Sequence, residues 1–179
     1  MCLISGGFPL SQAWWDSLPQ VDHAWVSKAF FRWSSSNPDT PELDYSRIHK
    51  LWWYPAQPAL IHNLCPGIDR YFGHRLFVWM PKRLWKYVLV CPHSHCTGVE
   101  LSHAGSYPIV KKVLDIDGYY LMVTEYLKCP DCRRKVIPWS AAVLAQLDVG
   151  HRSEFPAIPT YKYFCNKRVA RMLRLTLNG

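Results

Sequence analysis

The chain has 179 residues, 49% of them apolar and 15% aromatic, which suits one folded domain with at most a small appendage and excludes a disordered tail. No run approaches the ~18 apolar residues that a membrane helix needs, and the opening MCLISGGFPLS lacks the basic leader of a secretory signal. The formal charge is +8 and uneven: residues 1–60 carry four basic against five acidic side chains, and the remainder 17 against 8, a net of +9. A basic half of that kind is compatible with a polyanionic partner.

In chain order, Ser11 is placed to cap a short helix over 12–18. Pro19 restarts the chain into a second helix over 19–33, where Val21, Trp25 and Phe30 fall near helical spacing. Residues 34–42 (SSSNPDTPE) are polar and proline-bearing and read as a loop. They are the best boundary candidate, dividing an N-terminal helical segment and linker (1–42) from the cysteine-bearing α+β module (43–179). Leu51-Trp52-Trp53-Tyr54-Pro55 reads as an extended aromatic segment ended by proline. Residues 71–90 are dense in aromatics and basic side chains. Within them, Pro81 opens a short helical turn over 82–86, and 87–90 form a strand delivering Cys91.

The clearest hairpin lies at 109–128, with β-prone runs on either side of Asp117-Gly118, a pair suited to a two-residue turn with positive φ at both positions. Tyr119, Leu121, Val123, Leu127 and Cys129 fall on one face of its second strand, and Glu125 interrupts that stripe for no reason legible in sequence. Ser140 is placed to cap a helix over 141–147 with Gly150 shortly past its end, and Thr160 to cap a last helix over 161–175. The expected fold class is α+β: a zinc-ribbon-like small antiparallel sheet with flanking helices.

The chemistry concentrates in two cysteine pairs, Cys91-Pro-His-Ser-His-Cys96 and Cys129-Pro-Asp-Cys132. Each pair puts two thiolates on one tight loop, and two such loops make the four-sulfur cage that Zn²⁺ prefers. A reducing, intracellular setting follows, with a nuclear one plausible, so Cys2, Cys65 and Cys165 read as free thiols. Either His93 or His95 is able to replace Cys91 or Cys96, and His103 is a more distant candidate. A closed four-cysteine site leaves no open coordination position, so one structural zinc is expected in place of a catalytic one.

Arg133, Arg134 and Lys135 follow the second pair directly, where they favour thiolate over thiol and suit a phosphate contact; a solvated tip is the plainer alternative. Projected at 100° per residue, Lys167, Arg168, Arg171 and Arg174 cluster on one face of the last helix, with Cys165, Val169, Met172 and Leu173 opposite. No acidic residue occurs between 161 and 177. Such a face can neutralise DNA or RNA phosphates, although an ordinary amphipathic surface helix looks the same. Asp115 and Asp117 have strand and turn roles that disfavour a catalytic pair, and no glycine-rich phosphate loop or nucleophile elbow is present. Trp14-Trp15 and Trp52-Trp53 read as core residues before stacking platforms for nucleobases. No catalytic constellation and no small-molecule substrate emerge.

With these segments assembled, the chain resembles a family described as a domain of unknown function, family 6729. The matching residues include Trp14-Trp15 with Leu18-Pro19, Leu51-Trp52-Trp53-Tyr54-Pro55, Trp79-Met80-Pro81 with Trp85, and Cys91-Pro92. They continue through Ala104-Gly105-x-Tyr107, Val113-Leu114-Asp115-x-Asp117-Gly118-Tyr119, Thr124-Glu125-Tyr126-Leu127-x-Cys129-x-x-Cys132 and Gln146-Leu147-Asp148. Phe155-Pro156-Ala157 and Thr160-Tyr161 close the series, and Ile158-Pro159 departs from it. The resemblance implies a zinc-ribbon-like module with no established reaction, loosely similar to zinc modules of transposase-like proteins. It also implies a leading part of longer chains, some nuclease-like, so that this chain is either a fragment or a copy without its effector. Three functions stay open: nucleic-acid binding, protein interaction or scaffolding ahead of an effector region, and, third, a nuclease-type enzyme.

Overall fold

The computed structural model describes residues 9–56, 73–160 and 163–177. Cys2 and Cys65 lie outside them, as do positions 161 and 162 at the expected start of the last helix. Helices α1 (Gln12–Ser17) and α2 (Gln20–Phe30) occupy the first segment. The Ser11 carbonyl accepts from the N–H groups of Trp14 and Trp15, but its side chain makes no capping bond.

Helix α2 stops at Phe30, three residues short of the expectation, because the next residues pair as a sheet. Strand β1 (Phe31–Trp33) runs antiparallel to β2 (Pro41–Leu43), with Phe31 opposite Leu43. The loop expected as a linker is the turn of this hairpin, closed by Ser34 N–H to the Thr40 carbonyl and Thr40 N–H to the Asn37 carbonyl. The position 42/43 division therefore falls inside β2.

A 3₁₀ turn (Tyr45–Arg47) leads to β3 (Trp52–Trp53), followed beyond residue 72 by β4 (Leu76–Trp79) and α3 (Pro81–Leu84). Then come β5 (Ser102–Ser106), β6 (Lys111–Asp115), β7 (Gly118–Lys128) and β8 (Lys135–Val136). Short helices α4 (Ala141–Leu144) and α5 (Val149–Ser153), strands β9 (Ala157–Pro159) and β10 (Phe164–Asn166), and helix α6 (Lys167–Leu177) complete the order. The main sheet runs β3-β4-β7-β6-β10-β9, with β5 and β8 also paired to β7. Strands β4 and β7 are parallel, as are β6 and β10. The expected small antiparallel sheet is thus larger and mixed, while the α+β class holds.

Alternating side chains of β4 show why the sequence is apolar without interruption there. Leu76, Val78 and Met80 pack with Trp14, Val26 and Phe30 of the N-terminal helices, whereas Phe77 and Trp79 pack with Tyr120, Phe155 and the cysteine-bearing loops. A strand covered on both faces has no polar side to present. The same division splits the expected stripe of β7: Tyr119, Leu121 and Val123 face the N-terminal core, but Leu127 and Cys129 belong to the other. The tryptophan pairs also go into packing, with Trp14 buried and Trp52 set edge-on to Tyr120.

Trp79 is fully buried, its indole N–H donates to the Pro138 carbonyl at 3.1 Å, and Phe77, Trp85 and Phe155 surround its ring. Replacing it with alanine is expected to cost about 3–5 kcal/mol. Urea denaturation reads this directly, and a cost below about 1 kcal/mol would show that the two-sided burial of β4 is not what stabilises the sheet.

Several local expectations shift for identifiable reasons. Residues 87–90 do not form a regular strand; Val90 makes a single antiparallel bridge to Glu100. In the β6–β7 hairpin Asp115 pairs with Gly118, so the central turn residues are Ile116 and Asp117, and only Gly118 takes positive φ, at 127°. The helix expected over 141–147 ends at Leu144, and Asp148 restarts the chain by accepting from His151 N–H, which puts Gly150 inside α5. Thr160 caps no helix: it closes the β9–β10 turn, donating to the Tyr163 carbonyl and accepting from Tyr163 N–H. Asn166 takes over at α6, where its side-chain oxygen accepts from Arg168 N–H at 2.9 Å.

Candidate metal centre

Each cysteine pair sits on a turn whose flanking segments are hydrogen-bonded to one another. On the first, Cys91 N–H donates to the Val99 carbonyl, Leu101 N–H to the Leu89 carbonyl and Cys96 N–H to the His93 carbonyl. On the second, β7 and β8 pair through Lys128 and Lys135, and Arg133 N–H returns to the Cys129 carbonyl at 3.0 Å. That tight return requires Arg133 to adopt φ of 59°, a left-handed conformation uncommon outside glycine. Strand β7 thus carries the chain from the Asp-Gly hairpin straight into the second cysteine turn.

The sulfur atoms of Cys91, Cys96, Cys129 and Cys132 all lie within 4.8 Å of one another. The Cys91 and Cys132 sulfurs are 3.8 Å apart, too far for a disulfide. A tetrahedral ion with metal–sulfur bonds of about 2.3 Å sets its ligands roughly 3.8 Å apart, so the spacing fits. Three of the four are buried and Cys132 is partly exposed. These four cysteines can hold one metal ion, and no histidine belongs to the set.

Electrostatics favour the same reading. Burial pushes the Cys91 thiol up, and burial together with the thiols of Cys132 and Cys129 pushes Cys96 up to about 12. At Cys129 burial acts upward too, but the N–H groups of Cys132 and Asp131 and the neighbouring thiols outweigh it and bring the group down to about 7. Four thiolates at such close range repel one another strongly without a cation between them. A divalent ion removes that conflict and releases the remaining protons.

The histidines separate cleanly. His93 Nδ1 lies 3.1 Å from the Cys91 sulfur and 3.9 Å from that of Cys132, positioned to donate a proton to a thiolate as an outer contact. His95 is exposed on the loop. His103 is engaged elsewhere, its Nδ1 at 2.8 Å from the Glu125 carboxylate. Glu125 is fully buried, and the same oxygen takes Arg83 Nε–H at 2.7 Å, with the Arg83 guanidinium 3.6 Å above the Tyr45 ring. Its second oxygen is buried with no partner among the described residues. Asp115, the other carboxylate of interest, is buried, bonds Arg75 and accepts from Ile116 N–H.

Carboxylate partners distinguish some of the basic residues from those of the candidate surface. Among the described residues, Arg32, Arg47, Arg75, Lys82 and Arg83 each pair with a carboxylate. Arg133, Arg134 and Lys135, beside the cysteines, form no such pair, nor do Lys167, Arg168, Arg171 and Arg174 on α6. Partial burial, then Arg171 and Arg152, hold Lys167 below the ordinary lysine range. Arg152 on α5 therefore joins the α6 cations, a neighbour invisible to a helical projection because it lies 15 residues upstream of Lys167. Cys165, expected on the apolar face of the helix, lies in β10 instead.

Fold and cysteines together define an α+β chain with a cluster of four thiols able to hold a metal ion. A family model described as a domain of unknown function (DUF6729) matches residues 14–179, and the chain belongs to that family. No curated protein and no solved structure matches the chain. Among the described residues no helix is long and apolar enough to cross a membrane.

Proposed function

We propose that this chain is a non-catalytic module in which Cys91, Cys96, Cys129 and Cys132 hold one structural Zn²⁺, and that the surface this ion organises binds nucleic acid. The observation that supports the nucleic-acid reading is the run of cations beside the cysteines and on α6 that have no carboxylate partner among the described residues, whereas Arg32, Arg47, Arg75, Lys82 and Arg83 each have one. Unpaired cations on a docked scaffold suit a polyanion because each phosphate contact releases a counterion. Four sulfurs around one ion would fill a tetrahedral shell and leave no open position, which supports a structural role over a catalytic one. Two cysteine turns closed by short paired segments support the zinc-ribbon-like description, and with it the loose kinship to transposon- or nuclease-associated proteins. An intracellular, plausibly nuclear location fits both the reduced thiols and the partner.

The test is titration of DNA and RNA at several salt concentrations. Affinity is expected to fall steeply between about 50 and 200 mM salt. Changing Arg171 and Arg174 together to alanine should weaken binding and flatten the log–log salt slope by roughly 1.4–1.8, with zinc content unchanged. Absence of binding at low salt rejects the reading. A protein-docking role draws on Leu173 and Leu175, 58% and 75% exposed on α6. Co-purification of a defined partner that survives nuclease treatment would favour it.

A further inference from the structure

Beside the second cysteine turn lies an open groove of about 500 Å³. Its walls come from distant parts of the chain: Pro92 and His93 of the first turn, Ile137 and Trp139 after β8, Ala142 of α4 and Pro159 of β9. The lining is mostly apolar and rich in rings, and it contains no carboxylate. Lys135 also lines it, with Arg133 and Arg134 directly before it on the same exposed turn and unpaired among the described residues. Ser140, a further lining residue, keeps its hydroxyl oxygen buried without a hydrogen-bond partner.

We infer that this groove takes a nucleobase from a single-stranded segment of DNA or RNA. The inference rests on the nucleic-acid reading above and deepens it by naming the strand type and the seat of the base. Charge complementarity selects the occupant. Lys135 at the groove, with Arg133 and Arg134 next to it in the chain, attracts an anion, while the walls offer apolar surface and few polar atoms. A strand whose phosphates meet Arg133, Arg134 and Lys135 can turn a base inward, where the Pro92 and Pro159 rings and the His93 imidazole provide stacking surface beside the buried Trp139 indole. Bases locked in a duplex cannot enter, and stacking of this kind tolerates any base. The volume lies in the range of pockets that accept ring-containing ligands.

Ala142 is exposed, so a large side chain there fills the groove without entering the core. The experiment measures binding of a labelled single-stranded 12-mer, the same strand with abasic sites, its duplex and an acidic peptide of alternating Glu and Leu. Each is titrated against wild type, Ala142→Trp and the Arg171→Ala/Arg174→Ala variant. Expected is binding of the intact single strand about tenfold tighter than the abasic strand, from stacking of one base. In Ala142→Trp this preference should collapse to within about twofold while the salt slope is kept. Salt-dependent binding with no base preference in wild type, or a preference untouched by Ala142→Trp, overturns the inference and leaves the nucleic-acid reading standing. No oligonucleotide binding at low salt overturns both. Peptide binding abolished by Ala142→Trp, with strand binding unaffected, overturns the inference in favour of a protein ligand.

Discussion

Replacing Cys129 with serine is expected to strip the metal from this protein and take much of its stability with it. Cys129 is fully buried at the end of β7, and the core around it includes Cys91, Cys96, Leu89, Leu101, Leu127 and Val136. These are the residues that hold the two cysteine turns together. Structural zinc sites contribute on the order of 10 kcal/mol or more of apparent folding free energy, against a total of about 5–15 kcal/mol for a typical domain. The N-terminal core, built on Trp14, Phe30, Leu76 and Leu121, does not touch the cysteines and can retain structure. A loss of at least about 5 kcal/mol is therefore expected, roughly 10–20 °C in Tm for a chain of this size. Cys165→Ser is the control: that thiol is partly exposed and outside the sulfur cluster, so its Tm should stay within about 2 °C. Equal behaviour of the two variants would mean that the sulfur cluster carries no ion. Acidification should act in the same direction as Cys129→Ser. The ligands bind as thiolates, so falling pH sets protons in competition with the ion for the same sulfurs.

The second large effect is expected at Glu125. Its carboxylate is fully buried and neutralises Arg83, only 21% exposed, with His103 on the same oxygen. Glu125→Leu leaves the guanidinium in place without its counter-charge, and breaking a buried pair from one side costs about 3–5 kcal/mol. Removing both charges avoids that penalty. The Arg83→Met/Glu125→Leu double variant should therefore be markedly less unstable than the sum of the single changes, with a coupling of about 1.5 kcal/mol or more in a double-mutant cycle. Strict additivity would show that Glu125 acts by shape alone.

What the sequence reveals here follows how local each cause is. The cysteine pairs are legible because each metal-binding turn is only a few residues long and its chemistry is written in adjacent positions. Glu125 is opaque because its partners lie 42 and 22 residues away, on α3 and β5. The sheet escapes for a related reason: parallel pairing of β4 with β7 joins segments about 45 residues apart, and periodicity within either one cannot announce it. The stripe of β7 is opaque too: its residues share one parity, yet Tyr119, Leu121 and Val123 meet the N-terminal core and Leu127 and Cys129 the other, a change of partner that a period-2 pattern does not encode. Helix ends err where two caps compete. Thr160 and Asn166 are both capping types, and pairing of β9 with β10 is what assigns the threonine to a turn.

The measurement that bears most directly on the four-cysteine site is metal analysis of the purified protein, followed by titration with a zinc chelator under circular dichroism. One zinc per chain is expected, released by chelator together with loss of the cooperative unfolding transition and restored by added Zn²⁺. A protein that carries no metal after expression in zinc-replete medium, and whose unfolding the chelator leaves unchanged, would contradict it.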